Sequence, residues 1–134
     1  MIGVIDSSVF LAQYLGEERS AEASDLMGRL SDAVVSRITD VEVRRGLSLV
    51  VSAVERVTAE TLFTQQRRVM NVVDVDAEIA EMASQVAVKT RVRSLDAVHI
   101  ATALATRADC LITFDRRQAE AARAFDLTVL GVDE

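Results

Sequence analysis

Four carboxylates in this chain sit at junctions where an apolar run gives way to a helix: Asp6, Glu42, Asp96 and Asp115. Asp6 closes the run Met1-Ile-Gly-Val-Ile-Asp6-Ser-Ser8, and Glu42 lies in Thr39-Asp-Val-Glu42, just after a strand-like stretch at 33–36. Asp96 opens the helical segment Ser94-Leu-Asp96-Ala-Val-His99-Ile-Ala, and Asp115 ends Cys110-Leu-Ile-Thr-Phe-Asp115. Open α/β sheets bind ligands beyond the carboxyl ends of their strands. Asp6 and Asp115 fall at such ends, and the other two acids start helices that should lie beside them. Carboxylate oxygens gathered at one sheet edge are ligands for hard divalent cations.

Other chemistries find little support. No glycine-rich phosphate loop carries a lysine, no G-x-G-x-x-G follows the first strand, and no H-E-x-x-H occurs. One histidine and one cysteine build no zinc site without carboxylate help. A serine nucleophile would have only His99 as its base. Cys110 lies inside an apolar strand without a partner and reads as a buried structural thiol.

The elements that must position these acids are legible as an alternation. Residues 2–5 form a β-branched run. Ala23, Leu26, Met27 and Leu30 mark a helix by their i, i+3, i+4, i+7 spacing. A strand at 33–36 is followed by helices over about 40–51 and 55–68 and a strand at 71–75. Ile79, Met82, Ala83 and Val86 repeat the helical spacing, as do Ala97, Ile100, Ala101 and Leu104. A short strand at 110–114, a helix at 116–125 and a strand at 127–130 complete the chain. Alternating strands and helices imply a mainly parallel sheet covered on both faces. With no proline, linker or internal repeat, residues 1–134 read as one domain.

Charge and hydropathy bound the setting. No run approaches the roughly 18 apolar residues of a membrane span, and the first strand lacks the features of a signal peptide, so a cytoplasmic protein is expected. The net charge of −6 argues against indiscriminate nucleic-acid binding. Yet 14 of the 15 basic residues are arginine, several of them beside the acids: Arg44 and Arg45, Arg91 and Arg93, Arg116 and Arg117. Arginine suits bidentate phosphate recognition, although a compositional bias with solvated side chains gives the same pattern.

Each acid also has a local structural reading. Asp6 could cap the next helix. Glu42 fits a capping box with Thr39. Asp96 suits the first turn of a helix capped by Ser94, and Asp115 suits a turn. The case for function rests on all four meeting at one edge.

The segments Val4-Ile-Asp6-Ser-Ser8, Val41-Glu42-Val-Arg44, Ser94-Leu-Asp96-Ala-Val-His99-Ile-Ala-Thr-Ala and Leu111-Ile-Thr113-Phe-Asp115 resemble those of PIN-domain ribonucleases, specifically the VapC toxins of type II toxin–antitoxin pairs. The resemblance spans essentially the whole chain. It implies a three-layer α/β/α sandwich around a central, mainly parallel sheet. It further implies a magnesium-dependent endoribonuclease, with manganese as an alternative ion, whose Asp6, Glu42, Asp96 and Asp115 hold the metal that activates a water. Ser8 and Thr113 would orient carboxylates or waters, and Arg93, Arg116 and His99 are candidates to touch phosphate, His99 being equally readable as a helix residue. The partners implied are an RNA substrate, a VapB-type antitoxin and a second copy of the chain. A binding module on the same fold, without turnover, is the competing expectation.

Overall fold

A computed structural model describes residues 1–16 and 18–133. The elements run β1 (Ile2–Ile5), α1 (Ser7–Tyr14), α2 (Ser20–Gly28), β2 (Asp32–Ser36), α3 (Thr39–Val50), α4 (Ala53–Arg67), β3 (Asn71–Val73), α5 (Ala77–Thr90), α6 (Ser94–Ala105), β4 (Cys110–Ile112), α7 (Arg116–Arg123) and β5 (Thr128–Leu130). Among the described residues five strands form one sheet in the order β3-β2-β1-β4-β5, each pairing parallel.

Alternation along the short strands divides the apolar side chains between two cores. Val4, Val34 and Leu111 face α5, α6 and α7, packing on Ile79, Val86, Ile100 and Ala122. Their neighbours Ile5, Val35, Cys110 and Ile112 face the opposite layer, with Val9, Phe10, Leu26, Leu47 and Phe63 from α1–α4. Burial on both faces explains why the strands are continuous apolar runs. Phe10 and Phe63 meet edge-to-face at 5.3 Å between ring centroids, and burying each completely contributes about 2–3 kcal/mol. The α/β/α sandwich expected from the sequence is the architecture found.

The differences are local. Two helices rather than one separate β1 from β2, because α1 buries Ser7, Val9, Phe10 and Ala12 and so has no single apolar stripe. The strand expected at 71–75 stops at Val73, since Asp74 turns to Arg37 and Asp76 caps α5. Ser94 does not cap α6: the N-cap is Arg93, without a side-chain hydrogen bond. Nor does Thr39 open a capping box, because Ile38 is the N-cap of α3 and Thr39 is buried within the helix.

The strand order reverses between β1 and β4, which lie side by side although β2 and β3 intervene in the chain. Such a switch point leaves a crevice at the carboxyl ends of its strands. The Asp6 N–H donates to the Ile112 carbonyl at 3.0 Å and locks these two ends together.

Candidate active site

Asp6 stands where β1 ends. It is the N-cap of α1, so the capping role available to it locally is real. That role occupies one oxygen only. Asp6 Oδ2 accepts from the Ser8 N–H at 3.2 Å, the Ser8 hydroxyl at 2.6 Å and the Thr113 hydroxyl at 3.1 Å. The two hydroxyls are themselves fixed. Ser8 Oγ accepts from the Phe114 N–H and Thr113 Oγ1 from the Asp115 N–H, at 3.1 and 3.0 Å. The loop after β4 is thereby stapled to the turn after β1, and Asp6 Oδ1 is left turned toward His99 Nε2, 3.4 Å away.

Glu42 arrives from the opposite layer. It lies in the first turn of α3, and its carboxylate meets His99 rather than its own helix terminus: His99 Nε2 and Glu42 Oε1 are 2.5 Å apart. His99 belongs to α6 and is fully buried. It has no exposed edge for phosphate, so the contact considered for it from sequence is replaced by a role inside the acid cluster. One ligand atom from each of Asp6, Glu42 and His99 lies within 4.8 Å of the others.

The buried Nδ1 of His99 has no hydrogen-bond partner among the described residues. A proton there would be a buried, unsatisfied donor, which costs about 1–3 kcal/mol. The neutral ring therefore keeps its proton on Nε2 and donates to Glu42, which makes it a support for the acids more than a ligand. Burial alone would lower the His99 pKa, but the Glu42 hydrogen bond and the charges of Asp6, Glu42 and Asp96 outweigh it and raise the value.

Asp96, in the first turn of α6, is largely buried. Burial, then the negative charges of Asp6 and Asp115, push its pKa above the usual carboxylate value, and Arg93 only partly offsets them. Asp115 caps α7 through the Gln118 N–H at 2.9 Å. Arg93 bridges the two acids, its Nε 3.3 Å from Asp96 and its guanidinium 3.5 Å from Asp115, with a side chain 79% exposed. A pair so open to water contributes about 0–1 kcal/mol and is easily displaced. Arg116 is exposed at the start of α7.

Sequence reasoning did not single out Gln118. Its amide donates to the Asp96 carbonyl at 3.3 Å and ties α7 to the start of α6 from a fully buried position. A glutamine on an otherwise alanine-lined buried face, beside Ala119, Ala121 and Ala122, is the signal it left. The Glu42–His99 pair left none, since its members lie 57 residues apart on separate helices.

The donor set suits a divalent metal. It consists of carboxylates with free oxygen lone pairs, held within a few ångströms by other groups, and carrying negative charge that raises the Asp96 pKa. Of the four acids, Asp6 and Glu42 offer ligand atoms within 4.8 Å of one another and of His99, while Asp96 and Asp115 are joined to each other through Arg93.

A family model described as "PIN domain" matches residues 3–124. A search of curated proteins by sequence finds no match. Among solved structures, the chain is similar to FitAcB from Neisseria gonorrhoeae, with 23% identity, 97% of this chain and 96% of that one covered, and a TM-score of 0.75. It is also similar to VapC20 of Mycobacterium tuberculosis, described as a sarcin-ricin loop cleaving toxin, at 20% identity, 89% and 94% coverage and a TM-score of 0.75. VapBC-5 of the same organism, a member of the VapBC family of toxin–antitoxin systems, aligns at 22% identity over 98% of both chains with a TM-score of 0.72.

Proposed function

The chain belongs to the PIN domain family, and from that premise we propose that it is a magnesium-dependent endoribonuclease acting as the toxin of a toxin–antitoxin pair. The observation that carries this reading is the acid cluster at the β1/β4 switch point, with Asp6 clamped on one oxygen and facing Glu42 and His99 with the other. Asp6, Glu42, Asp96 and Asp115 would hold a divalent cation there, which would supply Lewis acidity and acidify a water enough to attack phosphorus at neutral pH. Ser8 and Thr113 fix the Asp6 carboxylate, and His99 fixes Glu42. Arg93 bridges Asp96 and Asp115 through a side chain that is exposed to solvent and so can be offered to an RNA phosphate, as can the exposed Arg116.

Similar structures described as a toxin–antitoxin complex and as a member of a toxin–antitoxin family support a protein partner. A cleft of about 470 Å³ between α1 and α4 is lined by Tyr14, Val54, Ala59 and Leu62. Val54 is 79% exposed, and Val50, Val57 and Leu49 also stand open on α3 and α4. Apolar side chains left open together on neighbouring helices fit a protein interface, and we assign this one to an antitoxin segment. Among the described residues no helix is long and apolar enough to cross a membrane, and a cytoplasmic site of action is part of the proposal.

Incubation with total RNA, with magnesium and with chelator, tests the reading, followed by analysis of the new ends. The expected products carry a 5′-phosphate and a 3′-hydroxyl, because water rather than the ribose 2′-hydroxyl attacks. The single histidine is buried on Glu42 and offers no acid–base pair for the other route. Products ending in a 2′,3′-cyclic phosphate, or cleavage indifferent to chelator, would refute it. Binding of RNA without any cleavage would leave a PIN-fold binding module.

A further inference from the structure

A second cleft, of about 500 Å³, lies between the last turn of α5 and one face of α7. Lys89, Thr90 and Arg91 form one wall, Arg117 and Glu120 the other, and Ala121 and Ala124 lie along it one and two turns after Arg117. Alanines leave room for a group to come close, while the rim carries three cations against one acid.

Those cations are available. Arg91 and Arg117 have no ion-pair partner among the described residues, and Glu120, one turn beyond Arg117, forms none with it. Lys89 stands 4.7 Å over the Phe125 ring, which orients the ammonium without neutralising it. Arg91 is the left-handed C-cap of α5, at φ 61, with its N–H tied to the Ala87 carbonyl. The backbone at this wall is fixed although the side chain is exposed.

The basic residues of the cleft are close in sequence to residues of the acid cluster. Arg91 precedes by two residues the Arg93 that bridges Asp96 and Asp115, and Arg117 follows Asp115 by two. A molecule with a net charge of −6 has no general field to attract a polyanion, so attraction must be local.

We propose that this cleft holds a phosphodiester of single-stranded RNA flanking the scissile one, and so positions the strand across the acids. The proposal rests on the ribonuclease reading above. Guanidinium forks from two sides suit the two free oxygens of a backbone phosphate. Contacts of this kind fix register on the strand without reading its sequence.

The test uses the full chain and single-stranded RNA, comparing Arg91→Gln, Arg117→Gln and the double substitution with the wild type. Both side chains are exposed, and unchanged Tm values show that the variants fold. In magnesium, each substitution is expected to raise KM about tenfold with kcat little altered. With chelator present, RNA affinity measured by fluorescence anisotropy should fall as well. The salt dependence of log affinity should become shallower by about 0.7 per lost contact. Arg117→Lys should recover part of the loss, since the charge remains without the fork. Unchanged KM and salt slope in the double variant, while the wild type binds and cuts RNA, would overturn the cleft alone. Variants that handle RNA normally but escape a protein inhibitor would also overturn it and give the cleft to that partner. A wild type that neither binds nor cuts RNA overturns both readings.

Discussion

His99 is the residue whose assignment geometry changes most. It is buried, pairs with Glu42 at 2.5 Å and faces Asp6 at 3.4 Å. Its work is to hold an acid from one layer against an acid from the other. His99→Ala should leave Glu42 without its donor and open a buried gap, costing about 1–3 kcal/mol of stability. The kcat for RNA should fall at least tenfold, and His99→Gln, which can still donate an N–H, should recover part of it. Full kcat in the alanine variant would show that Glu42 needs no such support. Asp96 behaves in the opposite sense. Its pKa is raised by burial and by the charges of Asp6 and Asp115, so its ionised form strains the metal-free fold. Asp96→Asn should abolish cleavage yet leave the metal-free protein as stable as the wild type or more so, with a smaller rise in Tm on adding magnesium. Unfolding of that variant, or an unaltered magnesium response, would make Asp96 a structural helix-start residue.

At the scale of elements, the loop after β4 carries the alignment of the site, and it is backed by β5. Gly131, at φ 107, lies against it so closely that a Cβ would come within 2.3 Å of the Thr113 carbonyl oxygen. Gly131→Ala should therefore push Thr113 and loosen its hydroxyl from Asp6, lowering both Tm and kcat although no acid is touched. A variant that loses stability while kcat and magnesium affinity stay at wild-type values would show that Thr113 is dispensable for placing Asp6. These dependencies mark the limit of what the sequence carries. The strands, the two-faced sheet and the acids at their ends were legible because each is a local pattern: apolar runs, 3.6-residue spacing, an acid after a strand. Helix α1 was not delineated, because it is buried on too many sides to show a stripe. The caps read for Ser94 and Thr39 failed because the chain enters α6 and α3 one residue earlier, at Arg93 and Ile38. The resemblance names Ser8 and Thr113 as groups that orient carboxylates, but not how: the Thr113–Asp6 bond joins residues 107 apart, and only the closing of β1 against β4 creates it.

Across the whole molecule, negative charge is concentrated at one sheet edge, and the fold must tolerate it until a cation arrives. Two carboxylates about 5 Å apart repel by roughly 3 kcal/mol at an effective dielectric of about 20, a sizeable part of the about 5–15 kcal/mol that holds a domain folded. The protein limits this through proton uptake, and the signs at the two perturbed groups agree. Asp96 has a folded pKa above its ordinary 3.8. The native state therefore binds more protons than the unfolded chain just above that value, and stability falls as pH rises through the shifted pKa. His99 is also raised, above 6.5. Its contribution is fully present below that value and is lost as pH climbs through the folded one. The metal-free protein should accordingly lose Tm as pH rises from below 6.5 through the raised His99 value. Metal ligation requires deprotonated carboxylates and competes with this proton uptake, so the stabilisation gained from magnesium should grow over the same interval. Thermal unfolding at stepped pH, in chelator and in saturating magnesium, measures both slopes. A metal-free Tm that rises as pH climbs above 6.5, or a magnesium increment that shrinks, would show that the acids at the β1/β4 edge are not the groups that set the pH response of the fold.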